Sequence, residues 1–264
     1  MIDWTKLGAI ARGLAVEGPT DKAVIEAFLD AGERAGRWQD WRSKLLVEVA
    51  TGLDEVLREL ETPQNVGVVW GLIDQDWRST SSQLALQTKY GNALLILPRI
   101  QIDNYFVDPD ELETMFPPAQ RNHFTAVRAA LVAKRDDWMK QGAMSKALVE
   151  SGAEEFCSSG GYKLLRQVPV PDDTSVMNHL VNIHANIEPG KVFNAYQSCW
   201  RLFQSSASPY HHCINGKLFF KQVVMRELNH SYGAREYKHW IADLTSSLTD
   251  CPTDIAPILQ SLLA

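Results

Sequence analysis

The sequence has 264 residues, 45% of them hydrophobic, and a formal net charge of −6 at pH 7. This hydrophobic content is ample for a hydrophobic core. Because the net charge is negative, the protein surface taken as a whole is not expected to attract nucleic acid. No apolar run approaches the roughly 18 residues that a membrane span needs, and no basic region leads into a long apolar segment at the N-terminus. We therefore expect a soluble, cytoplasmic protein with no membrane partner.

The cysteines indicate reduced thiols. They are scattered and form no C-x-x-C pair, which is typical of a cytosolic protein rather than a disulfide framework or a zinc knuckle; they are Cys157, Cys199, Cys213 and Cys251. The adjacent residues His211, His212 and Cys213 contain metal-ligating types, but neighbouring side chains point in different directions. We do not favour a metal site there.

Four short apolar runs in the first 100 residues predict strands, with helical patterns between them. The runs are "GLAVE" (13–17), "KLLVEVA" (44–50), "NVGVVWGLI" (65–73) and "NALLILP" (92–98). Apolar residues with the spacing of one helix face follow the first two runs; they are Val24, Ile25, Phe28 and Leu29, then Leu53, Val56, Leu57 and Leu60. Alternating strands and helices predict an α/β fold with a mostly parallel sheet.

The second half of the chain is expected to be mainly helical. Asp108 and Pro109 form a helix start, with the aspartate as N-cap and the proline in the first helical position. One segment, 161–173, resembles an extended edge that ends in prolines. The pattern change predicts a first domain over residues 1–115 and a helical domain over 116–264. Basic clusters at 134–135 and 163–166 are interpreted either as a local nucleic-acid track or as solvated faces.

Carboxylates follow three of the predicted strands, at the edge of a parallel sheet where ligands gather. Glu17 ends the first run, and Asp21 falls in the first turn of the next helix. Asp74 and Asp76 follow the third run, where an extended backbone would place them on one face. Asp103 follows the fourth. Taken singly, each of these acids also suits a helix cap, a helix dipole or an Asx turn.

Taken together, the strand-end carboxylates predict a metal site. Like charges about 4 Å apart repel by a few kcal/mol at an effective dielectric constant near 20, and a divalent cation removes that repulsion. All-oxygen ligands favour Mg²⁺ or Mn²⁺ over zinc. A metal held in this way activates water and neutralises charge on a phosphate, and two metals clamp the attacking and leaving oxygens. The chemistry expected is phosphoryl transfer.

Lys217 is a further candidate. It follows the turn signal Asn215 and Gly216 in "INGKLFF", from which it could reach the scissile phosphate. From the local sequence alone, an ordinary solvated lysine at a turn is the favoured interpretation.

The motifs "VEGPTDK" and "LIDQDW" resemble the E-G-x-x-D turn and the D-x-D of a Toprim domain. With "DNYFVDPDEL" and "INGKLFF", the chain is similar to the stand-alone Toprim proteins related to the overcoming-lysogenization-defect (OLD) nucleases, a group that includes the Toprim part of the PARIS anti-phage system. The likeness covers roughly residues 10–112 and the later N-G-K element. It implies a Rossmann-like Toprim fold.

The resemblance also implies roles for the residues. Glu17 and Asp21 would bind or position one metal, with Glu17 as general base, and Asp74 and Asp76 would be the principal Mg²⁺ ligands. Asp103 stands where relatives carry glutamate and would be a ligand of a second ion, although it is one methylene shorter. Lys217 would lie at the phosphate.

The implied function is a metal-dependent endonuclease that cleaves tRNA or DNA as the effector of an anti-phage system. The chain lacks G-x-x-x-x-G-K-[ST], so the resemblance implies a separate ABC-type ATPase partner, with the helical half as the docking or homodimer surface. A Toprim phosphotransferase of the primase or topoisomerase type is less favoured, because no zinc element or tyrosine module is evident. The alternative is a non-catalytic Toprim subunit that holds Mg²⁺ structurally and regulates an ATPase complex.

Overall fold

Four parallel strands form the sheet in the computed structural model of the chain, which describes residues 2–8, 10, 12–151, 168–170, 172–182 and 188–264. The strands are β1 (Arg12–Val16), β2 (Leu45–Val49), β3 (Val69–Ile73) and β4 (Leu94–Ile96), in the spatial order β2-β1-β3-β4. Val16 pairs with Val49 and Leu72, and Ile73 pairs with Ile96. The carboxyl ends of the strands therefore meet at one edge.

Helices account for most of the remaining described structure. They are α1 (Pro19–Arg34), α2 (Trp41–Lys44), α3 (Leu53–Glu61), α4 (Thr80–Tyr90), α5 (Pro109–Thr114), α6 (Phe124–Glu150), α7 (Asp173–Asn182), α8 (Pro189–Gln204), α9 (Pro209–His212), α10 (Gly216–Phe219), α11 (Met225–Tyr232), α12 (Tyr237–Ser246) and α13 (Ala256–Leu263). A π-helical segment, Phe220–Val224, joins α10 to α11. Short 3-10 helices lie at Thr5–Gly8, Pro63–Asn65, Gly91–Ala93, Ile102–Phe106 and Pro118–His123.

The α/β prediction is confirmed, and the periodicity that suggested it explains the packing. Val24, Ile25, Phe28 and Leu29 are the buried stripe of α1, while the apolar stripe of α3 packs on the opposite face of the sheet. Residues alternate between these faces along β1: Leu14 and Val16 enter the larger core, and Ala15 enters the smaller one. Helices therefore cover both faces, as a parallel sheet requires.

The larger core contains residues from both halves of the chain. Leu14 and Phe28 share it with Phe220 and Trp240, and α1 packs directly against α12. The Arg12 guanidinium donates hydrogen bonds to backbone carbonyls of α13. The core thus crosses the predicted boundary between residues 115 and 116, and the division into two domains stays a prediction.

The predicted start of α5 is confirmed: the Asp108 carboxylate accepts hydrogen bonds from the N–H groups of Asp110 and Glu111, at 2.8 and 3.3 Å. Most of the predicted extended segment at 161–173, the basic cluster at 163–166 and Cys157 lie outside the described residues. Among the helices that the structure describes, none is both long enough and apolar enough to cross a lipid bilayer.

Candidate functional site

The first two carboxylates lie at the junction of β1 and α1. Glu17 directly follows β1, and Pro19 occupies the first position of α1 because its missing N–H has no helical partner to lose. The Asp21 carboxylate folds back and accepts a hydrogen bond from the Gly18 N–H. A Cβ at Gly18 would lie 3.3 Å from Asp21 Oδ2, so glycine leaves room for this return of the side chain.

Asp74 is joined to this junction across the sheet. Because β1 and β3 are neighbours, the Asp74 N–H donates a hydrogen bond of 2.9 Å to Glu17 Oε1. Asp74 Oδ1 in turn accepts from the Ile102 N–H at 3.1 Å. These two carboxylates therefore connect the ends of β1 and β3 with the start of the 3-10 helix Ile102–Phe106.

Asp76 reaches the same region by a different backbone path from the one expected. The prediction of an extended segment is wrong, because Asp76 and Trp77 have φ angles of 46° and 62°. The Asp76 N–H donates to the Ile100 carbonyl, and Asp76 Oδ1 accepts from Gln101 Nε2, both at 3.0 Å. Its charge still raises the pKa of both Glu17 and Asp74. A left-handed turn, rather than strand alternation, brings the D-x-D pair together.

Asp103 joins the cluster from the 3-10 helix Ile102–Phe106. It is buried, with 4% of its surface exposed, and one carboxylate oxygen accepts a hydrogen bond from the Tyr237 hydroxyl. Its negative charge contributes to raising the pKa of Asp21 and of Asp74. The sequence-predicted acids Glu17, Asp21, Asp74, Asp76 and Asp103 thus form one interacting group, which we call the carboxylate cluster.

Lys217 lies beside the carboxylate cluster. Its positive charge contributes to lowering the pKa of Glu17, Asp21 and Asp103, against the stronger effect of burial. The Lys217 side chain is exposed, while its backbone N–H donates a 3.2 Å hydrogen bond to Gln101 Oε1. The same Gln101 side chain binds Asp76, so one amide connects the lysine segment with the acids.

The segment that carries Lys217 begins a helix instead of forming the predicted turn. The Asn215 side chain caps α10 by accepting from the Leu218 N–H at 2.9 Å. Asn104 holds the segment in place, since its Nδ2 donates to the carbonyls of Tyr210 and Ile214. A Cβ at Gly216 would lie 2.5 Å from Asn104 Oδ1, so only glycine permits this approach.

Burial and mutual repulsion favour the protonated form of four acids in the cluster, which are Glu17, Asp21, Asp74 and Asp103. Burial is the largest cause for each shifted acid. It acts with the charges of Glu17 and Asp103 to raise the pKa of Asp21 to about 7, and with four neighbouring acids to raise the pKa of Asp74 well above its ordinary value. The pKa of Glu17 and that of Asp103 are also raised. These four carboxyl groups therefore bind protons more tightly than the same groups do in water.

The oxygen donors of the cluster fit Mg²⁺ or Mn²⁺, although their side chains are not arranged as a complete set of metal ligands. Over the described residues, no group of three or more His, Cys, Asp or Glu side chains is arranged to hold a metal ion. Carboxylate oxygens are instead occupied by Gly18 and Ile102 N–H groups, the Gln101 amide and the Tyr237 hydroxyl. All-oxygen donors with a surplus of negative charge suit a hard divalent cation, and binding would require the side chains to exchange these hydrogen bonds for metal bonds.

Sequence reasoning missed three residues that shape the site. Tyr237 is 134 positions from its partner Asp103, and the Gln101 amide has no motif around it. Arg78 donates from Nη1 to the Asp74 carbonyl at 2.8 Å, and its charge contributes to lowering the pKa of Glu17. Proximity to the D-x-D motif was the only sequence signal for Arg78, and there was none for Tyr237.

Comparisons with protein-family models, with curated proteins and with solved structures found no match to this chain.

Proposed function

We propose that this protein is a divalent-metal-dependent nuclease of the Toprim type, which hydrolyses phosphodiester bonds in tRNA or DNA. One observation carries the proposal: acids from the ends of β1 and β3, the first turn of α1 and the segment after β4 interact at one sheet edge, with the exposed cation Lys217 beside them. A purely structural acid cluster has no need for this convergence, because its mutual repulsion opposes folding.

Asp74 and Asp76 would be the principal ligands of the ion, with Glu17 and Asp21 beside them. Asp103 would serve a second ion, and Tyr237 would then have to share its carboxylate. When bound, Mg²⁺ or Mn²⁺ would neutralise charge on the phosphate and lower the pKa of a water molecule. The oxygen-only donors and the raised pKa of Asp21 and Asp74 support this assignment.

Glu17 and Lys217 would act on the substrate directly. Burial raises the pKa of Glu17, which brings a carboxylate closer to the range where a general base works at neutral pH. The Asp74 N–H holds one Glu17 oxygen at 2.9 Å and fixes the direction of the carboxylate. The exposed Lys217 ammonium would pair with a phosphate oxygen.

The proposal extends to an effector role in an anti-phage system, with a separate ABC-type ATPase and a possible homodimer. The helical half would supply the docking surface. Deleting that half is a poor test, because the core includes residues from both halves. Val132 on α6 is 47% exposed, and a Val132→Glu variant that pulls down the ATPase as well as wild type does would argue against docking at this part of α6.

A cleavage assay tests the catalytic proposal. Purified protein is incubated with total tRNA, single-stranded DNA and duplex DNA, with Mg²⁺ or Mn²⁺ and with EDTA. Discrete products that need the metal and disappear in Glu17→Ala would support the nuclease and name its substrate. Asp54→Asn is the matched control, because Asp54 is an exposed acid in the first turn of α3. Wild type and Glu17→Ala that are equally inert would favour the alternative, a non-catalytic Toprim subunit of an ATPase complex.

A further inference from the structure

A cavity of about 350 Å³ lies beside the carboxylate cluster, on the other side of the loop that follows β3. Asp74 and Asp76 of this loop belong to the cluster, whereas Trp77 and Arg78 line the cavity. The size is at the lower end of the range of about 300–1,000 Å³ found for small-molecule sites. A single loop therefore forms both the proposed reaction centre and a neighbouring binding space.

The loop adopts an unfavourable backbone at the point where the two sites meet. Asp76 and Trp77 are consecutive residues with positive φ, and this conformation is an outlier for a residue as bulky as tryptophan. Such conformations persist only where surrounding contacts impose them, and they concentrate at functional sites. Here the conformation sends Asp76 to the cluster and Trp77 into the wall of the cavity.

The cavity combines an aromatic and aliphatic surface with cations. Trp77 and Phe203 stack with ring centroids 5.6 Å apart, and Leu202 on the rim is 61% exposed although it is apolar. Arg78 and Lys146 line the same space, and no acidic side chain does so among the described residues. Lys146 has one carboxylate partner, Glu150, at 2.9 Å.

Arg78 is held in position to serve both sites. Its Nη1 donates to the carbonyls of Asp74 and Gln75, at 2.8 and 3.3 Å. The guanidinium has further N–H donors on Nε and Nη2, which suit a phosphate oxygen. Gly142 of α6 packs closely behind two residues of the lining, because a Cβ there would lie 2.0 Å from the Cys213 carbonyl oxygen and 2.9 Å from the Trp77 ring.

We infer that this cavity binds one nucleotide, with the base against Leu202 and the aromatic pair and the phosphate at Arg78 and Lys146. The inference rests on the proposed function and deepens it: the occupant would be a nucleotide turned out of the substrate next to the bond that is cut. An apolar wall suits the face of any base, and two cations suit the phosphate. An apolar wall alone or two cations alone would not select a nucleotide, but the two together match both its base and its phosphate.

The test is equilibrium binding of AMP, GMP, CMP and UMP to the full-length protein in EDTA, by titration calorimetry. Ribose 5-phosphate and adenosine are the fragment probes. We expect at least one nucleotide to bind about tenfold more tightly than either fragment. Lys146→Gln should weaken that binding about tenfold, and Leu202→Ala about threefold. Both altered side chains reach solvent, and far-UV circular dichroism checks that each variant is folded.

Lys140→Gln is the matched control, because Lys140 lies on the same helix with its ammonium over the Trp200 ring, outside the cavity lining. It should bind nucleotide as wild type does. Absence of saturable binding, equal affinity for ribose 5-phosphate and the nucleotides, or wild-type affinity in both variants would each overturn the inference. The titration contains no metal and is therefore independent of the cleavage assay with Mg²⁺ or Mn²⁺. Nucleotide binding in the titration with no cleavage in that assay would refute the nuclease alone, and cleavage in that assay with no nucleotide binding in the titration would refute the cavity alone.

Discussion

Replacing Asp21 with asparagine should stabilise the metal-free protein at pH 8. Asparagine retains an oxygen that can accept the Gly18 N–H, but it removes a charge that burial and the neighbours Glu17 and Asp103 oppose. The effect has a defined pH dependence. Since the folded-state pKa of Asp21 lies above the unfolded value, the folded protein binds the proton more tightly, and the contribution of Asp21 to the free energy of unfolding falls as the pH rises from about 4 to about 7.

The magnitude follows from that pKa difference. Moving from the ordinary aspartate value of 3.8 to about 7 corresponds to about 4 kcal/mol, at about 1.4 kcal/mol for each tenfold change in proton affinity. Asp21 keeps partial contact with solvent, which screens the charges and lowers the expected effect to about 2 kcal/mol. The stabilisation should be nearly complete at pH 8 and small at pH 4.

Urea unfolding in EDTA at pH 4 to 8 measures this effect for wild type, Asp21→Asn and the exposed control Asp54→Asn. The reasoning predicts a gain near pH 8 for Asp21→Asn alone. Adding Mg²⁺ at pH 8 should stabilise wild type more than Asp21→Asn, because the cation offsets the same repulsion. If Asp21→Asn is no more stable than wild type at pH 8, or if the difference in stability between them does not grow from pH 4 to pH 8, the pKa of Asp21 is not raised by burial and its neighbours.

Four further predictions concern single residues. Glu17→Gln keeps an acceptor for the Asp74 N–H but no base, so its cleavage rate at saturating Mg²⁺ should fall by about 10²-fold or more; an unchanged rate would exclude Glu17 as the base. Lys217→Ala keeps the backbone bond to Gln101 and should slow single-turnover cleavage about tenfold, with the far-UV circular dichroism of the folded wild type; an unchanged cleavage rate would exclude Lys217 from the reaction. In Gly216→Ala, the methyl group meets Asn104, so urea unfolding should reveal a loss of about 1–3 kcal/mol. Tyr237→Phe leaves the buried Asp103 carboxylate without its donor and should cost about 1–3 kcal/mol at pH 8; full stability in that variant would mean that another group replaces the hydroxyl.

The positions of the strand ends could be predicted from the sequence, because hydrophobic runs and helix-start signals depend only on neighbouring residues. The runs at 13–17 and 65–73 end within one residue of β1 and β3, so the sequence alone predicts that Glu17 and Asp74 lie at one edge of the sheet. The backbone conformation at Asp76 could not be predicted from the sequence, because its two consecutive positive φ angles result from tertiary contacts with Ile100 and Gln101.

Contacts between residues that are far apart in the chain could also not be predicted from the sequence. Tyr237 reaches Asp103 only because α12 packs on α1. The Asn215 and Gly216 pair predicts a turn, but its composition suits a helix cap equally, and the contact with Asn104 that accompanies the cap comes from a distant part of the chain. The local sequence around Lys217 favours an ordinary solvated lysine, and only the resemblance to Toprim proteins predicts a role for it at the phosphate.

The most direct test of the central claim is anomalous diffraction from crystals grown with Mn²⁺, collected for wild type and Asp74→Asn. We expect an anomalous peak in wild type within bonding distance of Asp74 and Asp76 oxygens, and its loss or strong reduction in the variant. Wild-type crystals in saturating Mn²⁺ with no peak at the carboxylate cluster would show that these acids do not form a metal site.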